Sequence, residues 1–167
     1  MKISLNILHY CLYLIQVKLH LLFNKINPVL LLFKIPSVKK RMKESDGIES
    51  PTEWYNNFWN DKKNGFGTRF IGGSLIGIIS FAFIGLGIIL VKIISPELVL
   101  NSFFFISMGI ISYLICYFLV FKNDQYLEYF NEFEDWTIKQ KRKYVFGSIS
   151  FILLIIVLFF FSLLGFN

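Results

Sequence analysis

Two apolar runs decide the fold of this chain: FIGGSLIGIISFAFIGLGIILV at residues 70–91 and LVLNSFFFISMGIISYLICYFLVF at residues 98–121. Each run exceeds the roughly 20 residues that an α-helix needs to cross a bilayer, and neither contains Asp, Glu, Lys, Arg or His. The short segment between them contains Ser95 and Pro96, which can cap and begin the second helix. The sequence therefore predicts a tight antiparallel hairpin of two transmembrane helices.

A third apolar run, residues 145–164, is also long enough for a span. The 167 residues are 55% hydrophobic, and the apolar residues lie in blocks, whereas a soluble domain disperses them. Three helices that are apolar all round leave too little amphipathic sequence to cover them in water. We therefore predict an all-α membrane protein with three transmembrane helices, the hairpin and a third span, and with short cytoplasmic amphipathic helices.

Small residues recur along one face of each hairpin helix, at spacings that return to the same side of a helix. In lipid, small residues let helix backbones approach closely, so the two stripes are predicted to pack against each other. Alternatively, either stripe serves a homodimer. The predicted helix-packing residues are Gly73, Gly77, Ser80 and Gly87 in the first span and Ser102, Gly109, Ser112 and Cys116 in the second.

Residues 1–41 form an apolar, basic stretch that polar residues interrupt too often for a comfortable span. The polar residues recur at helical spacing, which is typical of a helix in the membrane interface, although Lys18 falls on the apolar side. The stretch also lacks Asp, Glu, Gly and Thr, as translated AT-rich non-coding sequence does, and on that hypothesis Met42 is the true start. The polar stripe consists of Lys2, Asn6, His9, Tyr13, Gln16, His20, Asn24 and Asn27.

The segment 42–69 is predicted to be cytoplasmic and to contain an aromatic interfacial helix at residues 51–63. Ser50, Pro51 and Glu53 have the arrangement of a helix start with a capping box. Trp and Tyr favour the headgroup level, because an apolar ring carries a polar N–H or O–H. The predicted membrane-interface residues are Trp54, Tyr55, Phe58 and Trp59.

The second polar segment, 122–144, is predicted to be a cytoplasmic amphipathic loop. Thr137 and Gln140 have capping-box spacing, so a helix should begin there and run into the third span. Carboxylates such as Glu128 and Glu132 could bind a metal or share a proton, but without a nearby His the pattern favours a plain charged helix. An aromatic face at helical spacing consists of Tyr126, Tyr129, Phe130 and Phe133.

Basic residues near span ends predict the orientation, because cytoplasmic loops carry an excess of Lys and Arg. The segments 42–69 and 122–144 are rich in both, whereas the hairpin turn offers only Lys92 and the residues after the third span offer none. We predict a multi-pass protein of the cell membrane with a cytoplasmic N-terminus and the C-terminus outside. Because the basic residues flank the predicted spans, where they set the topology, the net charge of +6 does not predict a nucleic-acid partner.

The sequence does not predict an enzyme. The spans lack the ionisable side chains of pumps and coupled transporters, and the HExxH and GxSxG signatures are absent. Cys11 and Cys116 show no metal-binding spacing, so neither a metal nor a cofactor is predicted. We expect a non-catalytic scaffold or partner-binding subunit, with the lipid bilayer and a homo-oligomer or another membrane protein as partners. The alternative is an oligomeric channel or transporter subunit.

Overall fold

In a computed structural model of the chain, which describes residues 1–95, 97 and 100–164, every regular element is a helix. Between α6 and α7 the chain forms a π-helical segment at Tyr117–Phe121 and a 3-10 turn at Lys122–Asp124. The all-helical fold class is confirmed. The α-helices are α1 (Lys2–Phe23), α2 (Pro28–Leu32), α3 (Pro36–Asp46), α4 (Pro51–Asn60), α5 (Phe66–Ile94), α6 (Ser102–Cys116), α7 (Gln125–Glu134) and α8 (Ile138–Leu164).

Four helical stretches are long and apolar enough to cross a membrane, by length and composition. Two of them contain the predicted spans 70–91 and 145–164, and a third contains residues 102–121 of the predicted span 98–121. The additional one is α1, so the structure has four candidates where the sequence predicted three. The polar residues of α1 are separated by Leu and Ile, which keeps the mean hydropathy of the helix high enough. The four stretches are Lys2–Phe23, Phe66–Ile94, Ser102–Glu134 and Ile138–Leu164.

The start of the second hairpin helix is described from Ser102 onward. Asn101 is its N-cap, and the Asn101 side chain accepts a hydrogen bond from the backbone N–H of Phe104 at 3.2 Å. The predicted first residues of this span, Leu98 and Val99, lie outside the described residues, as does Pro96. The Asn101 cap therefore marks the start of α6.

The turn between α6 and α7 is sharp. Asn123 and Asp124 both have positive φ angles, 58° and 55°. Asn and Asp tolerate this left-handed conformation better than other residues with a side chain. The chain therefore leaves the second span where the sequence predicted, after Phe121, and begins α7 at Gln125.

The helices divide into two compact units. One combines Met1–Leu12 with Gly72–Asn167, and the other is Tyr13–Ile71. The boundaries between the units therefore fall within α1, after Leu12, and within α5, after Ile71. The packing within each unit is described separately below.

In the first unit, residues 2–10 of α1 run beside α7. The Lys2 ammonium lies 5.8 Å from the centre of the Tyr129 ring. The Tyr10 ring contacts those of Phe133 and Trp136, with centroid distances of 5.6 and 6.0 Å. Phe130 and Phe133 are buried as a result. The aromatic face of α7 thus lies against α1, a cover that the sequence did not predict.

The start of α8 follows the predicted capping box. The backbone N–H of Thr137 donates to Oε1 of Gln140 at 2.9 Å, and the backbone N–H of Gln140 donates to Oγ1 of Thr137 at 3.3 Å. Two amides at the helix start are thereby satisfied reciprocally. The helix then continues without interruption from Ile138 to Leu164, through the whole predicted third span.

In the second unit, α4 begins at the predicted residue, but Ser50 forms no side-chain capping hydrogen bond within the described residues, and the helix ends earlier than predicted. Ser50 is the N-cap and Pro51 the first helical residue, but the helix ends at Asn60 and not at residue 63. The Asp61 carboxylate accepts hydrogen bonds from the backbone N–H of Asn64 and, at 2.9 Å, from that of Lys63. These backbone donors, Asn64 above all, lower the pKa of Asp61 and fold the chain into a turn before α5.

Candidate functional site

Of the predicted packing glycines, only Gly87 closely approaches the other hairpin helix among the described residues, and it does so at Phe104, which is not a member of the second stripe. A Cβ atom built on Gly87 would lie 2.6 Å from Cζ of Phe104, across the hairpin. A Cβ atom built on Gly73, Gly77 or Gly109 would meet nothing within 4 Å. These three glycines therefore do not bring the hairpin helices close to each other. Their alternative use, between two copies of the chain, stays a prediction.

The polar members of the stripes bond within their own helices. The Ser80 hydroxyl donates to the Ile76 carbonyl at 2.9 Å, and the Ser112 hydroxyl donates to the Met108 carbonyl at 2.7 Å. Ser112 and Cys116 are fully buried, whereas Ser102 is exposed. The stripe in the second span thus runs from an exposed end to a buried end.

The close helix approach in the first unit lies at a glycine that the sequence did not single out. A Cβ atom on Gly85 would lie 2.5 Å from Cδ2 of Leu158 and 3.2 Å from Cα of Phe159. Gly85 is buried, and it lets α5 and α8 come together. Gly85 lies off the predicted stripe, so the pattern of small residues did not single it out.

The four predicted membrane-interface residues fall into two pairs. Trp54 and Phe58 are 46% and 47% exposed, and their rings stack with centroids 5.9 Å apart. Tyr55 and Trp59 are less exposed and turn towards His20 of α1, with centroid distances of 5.6 and 5.2 Å. Only Trp54 and Phe58 are therefore freely presented at the surface of α4.

The polar stripe of α1 bonds to α4 in the second unit. Nδ2 of Asn24 donates to Oδ1 of Asn56 at 2.7 Å, and a ring nitrogen of His20 lies 3.2 Å from the same oxygen. The Tyr13 hydroxyl donates to the Asn60 carbonyl at 2.9 Å. Three polar residues of the stripe thus contact α4.

In the first unit the same stripe supplies two buried polar side chains. Nδ2 of Asn6 donates to the Leu119 carbonyl at 3.1 Å, while its Oδ1 has no partner among the described residues. His9 is 1% exposed, and neither of its ring nitrogens has a hydrogen-bond partner in the described part of the chain. Aromatic rings surround it, those of Phe121, Tyr126 and Phe130, at centroid distances of 5.6, 5.3 and 5.1 Å.

The carboxylates of α7 lie on its open face. Glu128, Glu132 and Asp135 are exposed, and no ion pair forms at them within the described residues. No group of three or more His, Cys, Asp or Glu side chains in the described ranges is placed to hold a metal ion. The geometry of α7 is that of a charged surface.

A cavity of about 560 Å³ lies in the first unit, between the first turns of α1 and helices α5, α6 and α8. Lys143, Tyr144, Gly147 and Ser148 form the part of its wall that belongs to the start of α8. The rest of the wall is largely apolar and includes Leu5, Leu8, Ile79, Phe83, Ile115 and Phe151. The volume is typical of a small-molecule site.

No protein-family model, curated protein or solved structure matches this chain. Function is therefore inferred from packing, exposure and charge. The cavity could not be found from the sequence, because its wall combines residues from four helices whose arrangement no local pattern records. The sequence around the α8 part of the wall, Lys143 to Ser148, offers no local signal, because it only joins the basic start of α8 to its apolar part.

Proposed function

We propose that this chain is a multi-pass protein of the cell membrane that acts as a non-catalytic scaffold or partner-binding subunit. The membrane location is supported by large apolar side chains that helices α5, α6 and α8 expose. Leu90, Phe103 and Phe146 are 57%, 77% and 74% exposed, for example. Exposed apolar surface of this kind is unfavourable in water and suits lipid.

For α1 we propose a position on the cytoplasmic side, as part of a three-span protein. Its residues Lys2, His9 and Tyr10 all pack along α7, which belongs to the basic-flanked segment 122–144. A helix that follows this connecting segment over its first half does not need to cross the bilayer. The N-terminus is then cytoplasmic and the C-terminus outside, in agreement with the distribution of Lys and Arg.

The partner-binding role rests on one observation, the two-sided character of α7. Its aromatic face is buried, with Phe130 and Phe133 at 0% and 2% exposure, so the helix is fixed to its unit. Its opposite face presents the exposed carboxylates of Glu128, Glu132 and Asp135. A rigid acidic face beside the membrane fits a basic segment of a second membrane protein, because complementary charge steers and orients such contacts.

Affinity purification in a mild detergent, followed by mass spectrometry, tests this role. We expect a membrane protein that is enriched with the wild type and lost with the variant Glu128→Gln/Glu132→Gln/Asp135→Asn. A matched control, Glu44→Gln/Asp46→Asn/Glu49→Gln, removes the same negative charge from exposed residues elsewhere and should keep that protein. Equal recovery with both variants would contradict the role of α7.

A channel or transporter subunit is the second candidate, and the open glycines favour it. Gly73, Gly77 and Gly109 leave the space around their Cβ positions empty, so a second copy could approach these faces closely. Native mass spectrometry in detergent would then show an oligomer that Gly77→Leu or Gly109→Leu dissociates. A wild-type protein that is monomeric under these conditions contradicts this candidate.

A further inference from the structure

We infer that the cavity between the first turns of α1 and helices α5, α6 and α8 holds an acyl chain of an anionic phospholipid, with the headgroup phosphate at Lys143. This inference rests on the proposed membrane location. It adds a ligand site that is separate from the acidic face of α7.

The cavity has the size and lining that an acyl chain requires. Its volume is about 560 Å³, and Leu5, Leu8 and Phe83 are among the apolar side chains of its wall. It is open at its edge, because Met1 and Phe151, which also line it, are 80% and 47% exposed. An apolar cavity that opens towards lipid is filled by hydrocarbon, since water would find almost no hydrogen-bond partners on its wall.

The charge at one end of the cavity selects an anionic headgroup. Lys143 lines the cavity, is exposed, and forms no ion pair within the described ranges. The apolar part of α8 begins two residues later, at Val145, which places the ammonium group at the headgroup level of a membrane. Basic pockets between helices on the cytoplasmic side are typical sites for anionic headgroups.

Neighbouring basic residues do not replace Lys143 in this position. The ammonium group of Lys141 donates to the Glu134 carbonyl at 2.7 Å and so closes the end of α7. Neither Lys139 nor Arg142 lines the cavity. No carboxylate of the described residues belongs to the cavity wall, so nothing there repels a phosphate.

The first test fills the cavity. A Cβ atom on Gly147 meets nothing within 4 Å, so Gly147→Leu can extend into the cavity without a backbone clash. Gly73→Leu is the matched control, because Gly73 is equally open and does not line the cavity. The full chain is purified from membranes in a mild detergent, and bound phospholipid per chain is measured by mass spectrometry. We expect the wild type and Gly73→Leu to retain an anionic phospholipid and Gly147→Leu to lose it.

A second variant that fills the cavity from another helix guards against misreading a folding defect of Gly147→Leu as loss of the lipid site. Ser4→Phe introduces bulk from the α1 side of the same cavity and should also displace the lipid. Equal lipid retention by the wild type, Gly147→Leu and Ser4→Phe would overturn the inference. So would a change of oligomeric mass in Gly147→Leu with no change in lipid, since the cavity would then receive a second copy of the chain.

The headgroup is tested with delipidated protein and two lipids of equal chain length, phosphatidylglycerol and phosphatidylcholine. We expect the wild type to prefer phosphatidylglycerol, and Lys143→Gln to weaken its binding by about fivefold, the effect of one basic residue near a membrane surface. Lys139→Gln removes the same charge about one helical turn nearer the start of α8 and should leave the preference unchanged. Equal binding of both lipids by the wild type, or equal loss in both variants, contradicts the assignment.

Failure of this inference and failure of the membrane proposal can be told apart. If the protein is absent from the membrane fraction, the proposed location is wrong before any lipid is measured. If the protein is in the membrane fraction and Gly147→Leu retains the wild-type amount of lipid, the location stands and the cavity assignment alone is wrong.

Discussion

The side chain of Asn6 in α1 donates a hydrogen bond to the π-helical segment that follows α6. Its amide donates to the Leu119 carbonyl, within the π-helical segment that ends at Phe121. Carbonyl groups in the last turn of a helix lack an intrahelical partner, and a buried one is costly if it stays unpaired. His9 has a different environment, because aromatic rings surround it and offer its nitrogens no hydrogen bond.

This contrast predicts opposite outcomes for two substitutions in α1. Asn6→Leu removes the donor to Leu119 and should lower the free energy of unfolding by about 1–3 kcal/mol. His9→Phe replaces an unpartnered polar ring with an apolar one among Phe121, Tyr126 and Phe130, and it should leave stability unchanged or raise it. Thermal unfolding of both variants in the same detergent provides the measurement. A destabilised His9→Phe protein would show that His9 has a partner such as a bound water molecule.

The sequence predicted the polar stripe of α1 but not the surface that it faces. Asn6, Tyr13 and Asn24 recur at helical spacing, and that spacing shows that they share a side. Water, backbone carbonyls and other amides all satisfy the same donors, so the pattern alone favours none of them. The partners come from Leu119, Asn60 and Asn56, which are distant in sequence.

At the scale of elements, the helices with clear boundary residues were predicted best. Pro51 begins α4, and the capping box of Thr137 and Gln140 precedes α8, because these signals act over four residues. The end of α4 was misplaced, since Asp61 turns the chain before Gly65 is reached. Local sequence signals therefore predicted where helices begin better than which helices pack against each other.

The spacing of glycines in the apolar helices also did not identify which helices pack together, and the structure predicts different effects for substitutions at these glycines. Gly85→Leu should force α5 and α8 apart and destabilise the protein by about 1–3 kcal/mol or more. The reason is that a Cβ atom at this position would lie only 3.2 Å from Cα of Phe159. Gly77→Leu and Gly109→Leu should leave the stability of the single chain unchanged, since both positions are open. Unfolding in detergent, at concentrations where the protein is monomeric, separates these outcomes. A destabilised Gly109→Leu monomer would instead support the prediction that the two small-residue stripes pack against each other.

At the scale of the whole molecule, the main feature that the structure adds to the sequence prediction is the packing of α1 against α7. Three long apolar helices could be predicted, because long apolar runs are recognised without tertiary context. The position of α1 could not, since its mixed composition left an interfacial helix and non-coding sequence as alternatives and argued against a span. Its contacts with α7 favour a helix that belongs to the fold.

Removal of residues 1–41 tests that role. In a chain that begins at Met42, the aromatic face of α7 loses Tyr10 and His9, which contact Phe130 and Phe133. We expect the shortened protein to aggregate or to be degraded, with a yield in the detergent extract well below that of the full chain. Fluorescence-detected size-exclusion chromatography measures this. A shortened protein as monodisperse and as stable as the full chain would support Met42 as the true start.

The arrangement in the membrane is the central claim, and a pair of reporter fusions tests it most directly. The reporter fluoresces only in the cytoplasm and is attached to the N-terminus in one fusion and after Asn167 in the other. Three spans with α1 on the cytoplasmic side predict a fluorescent N-terminal fusion and a dark C-terminal fusion, both recovered in the membrane fraction. Fluorescence from the C-terminal fusion, a dark N-terminal fusion, or recovery of either in the soluble fraction would contradict the account.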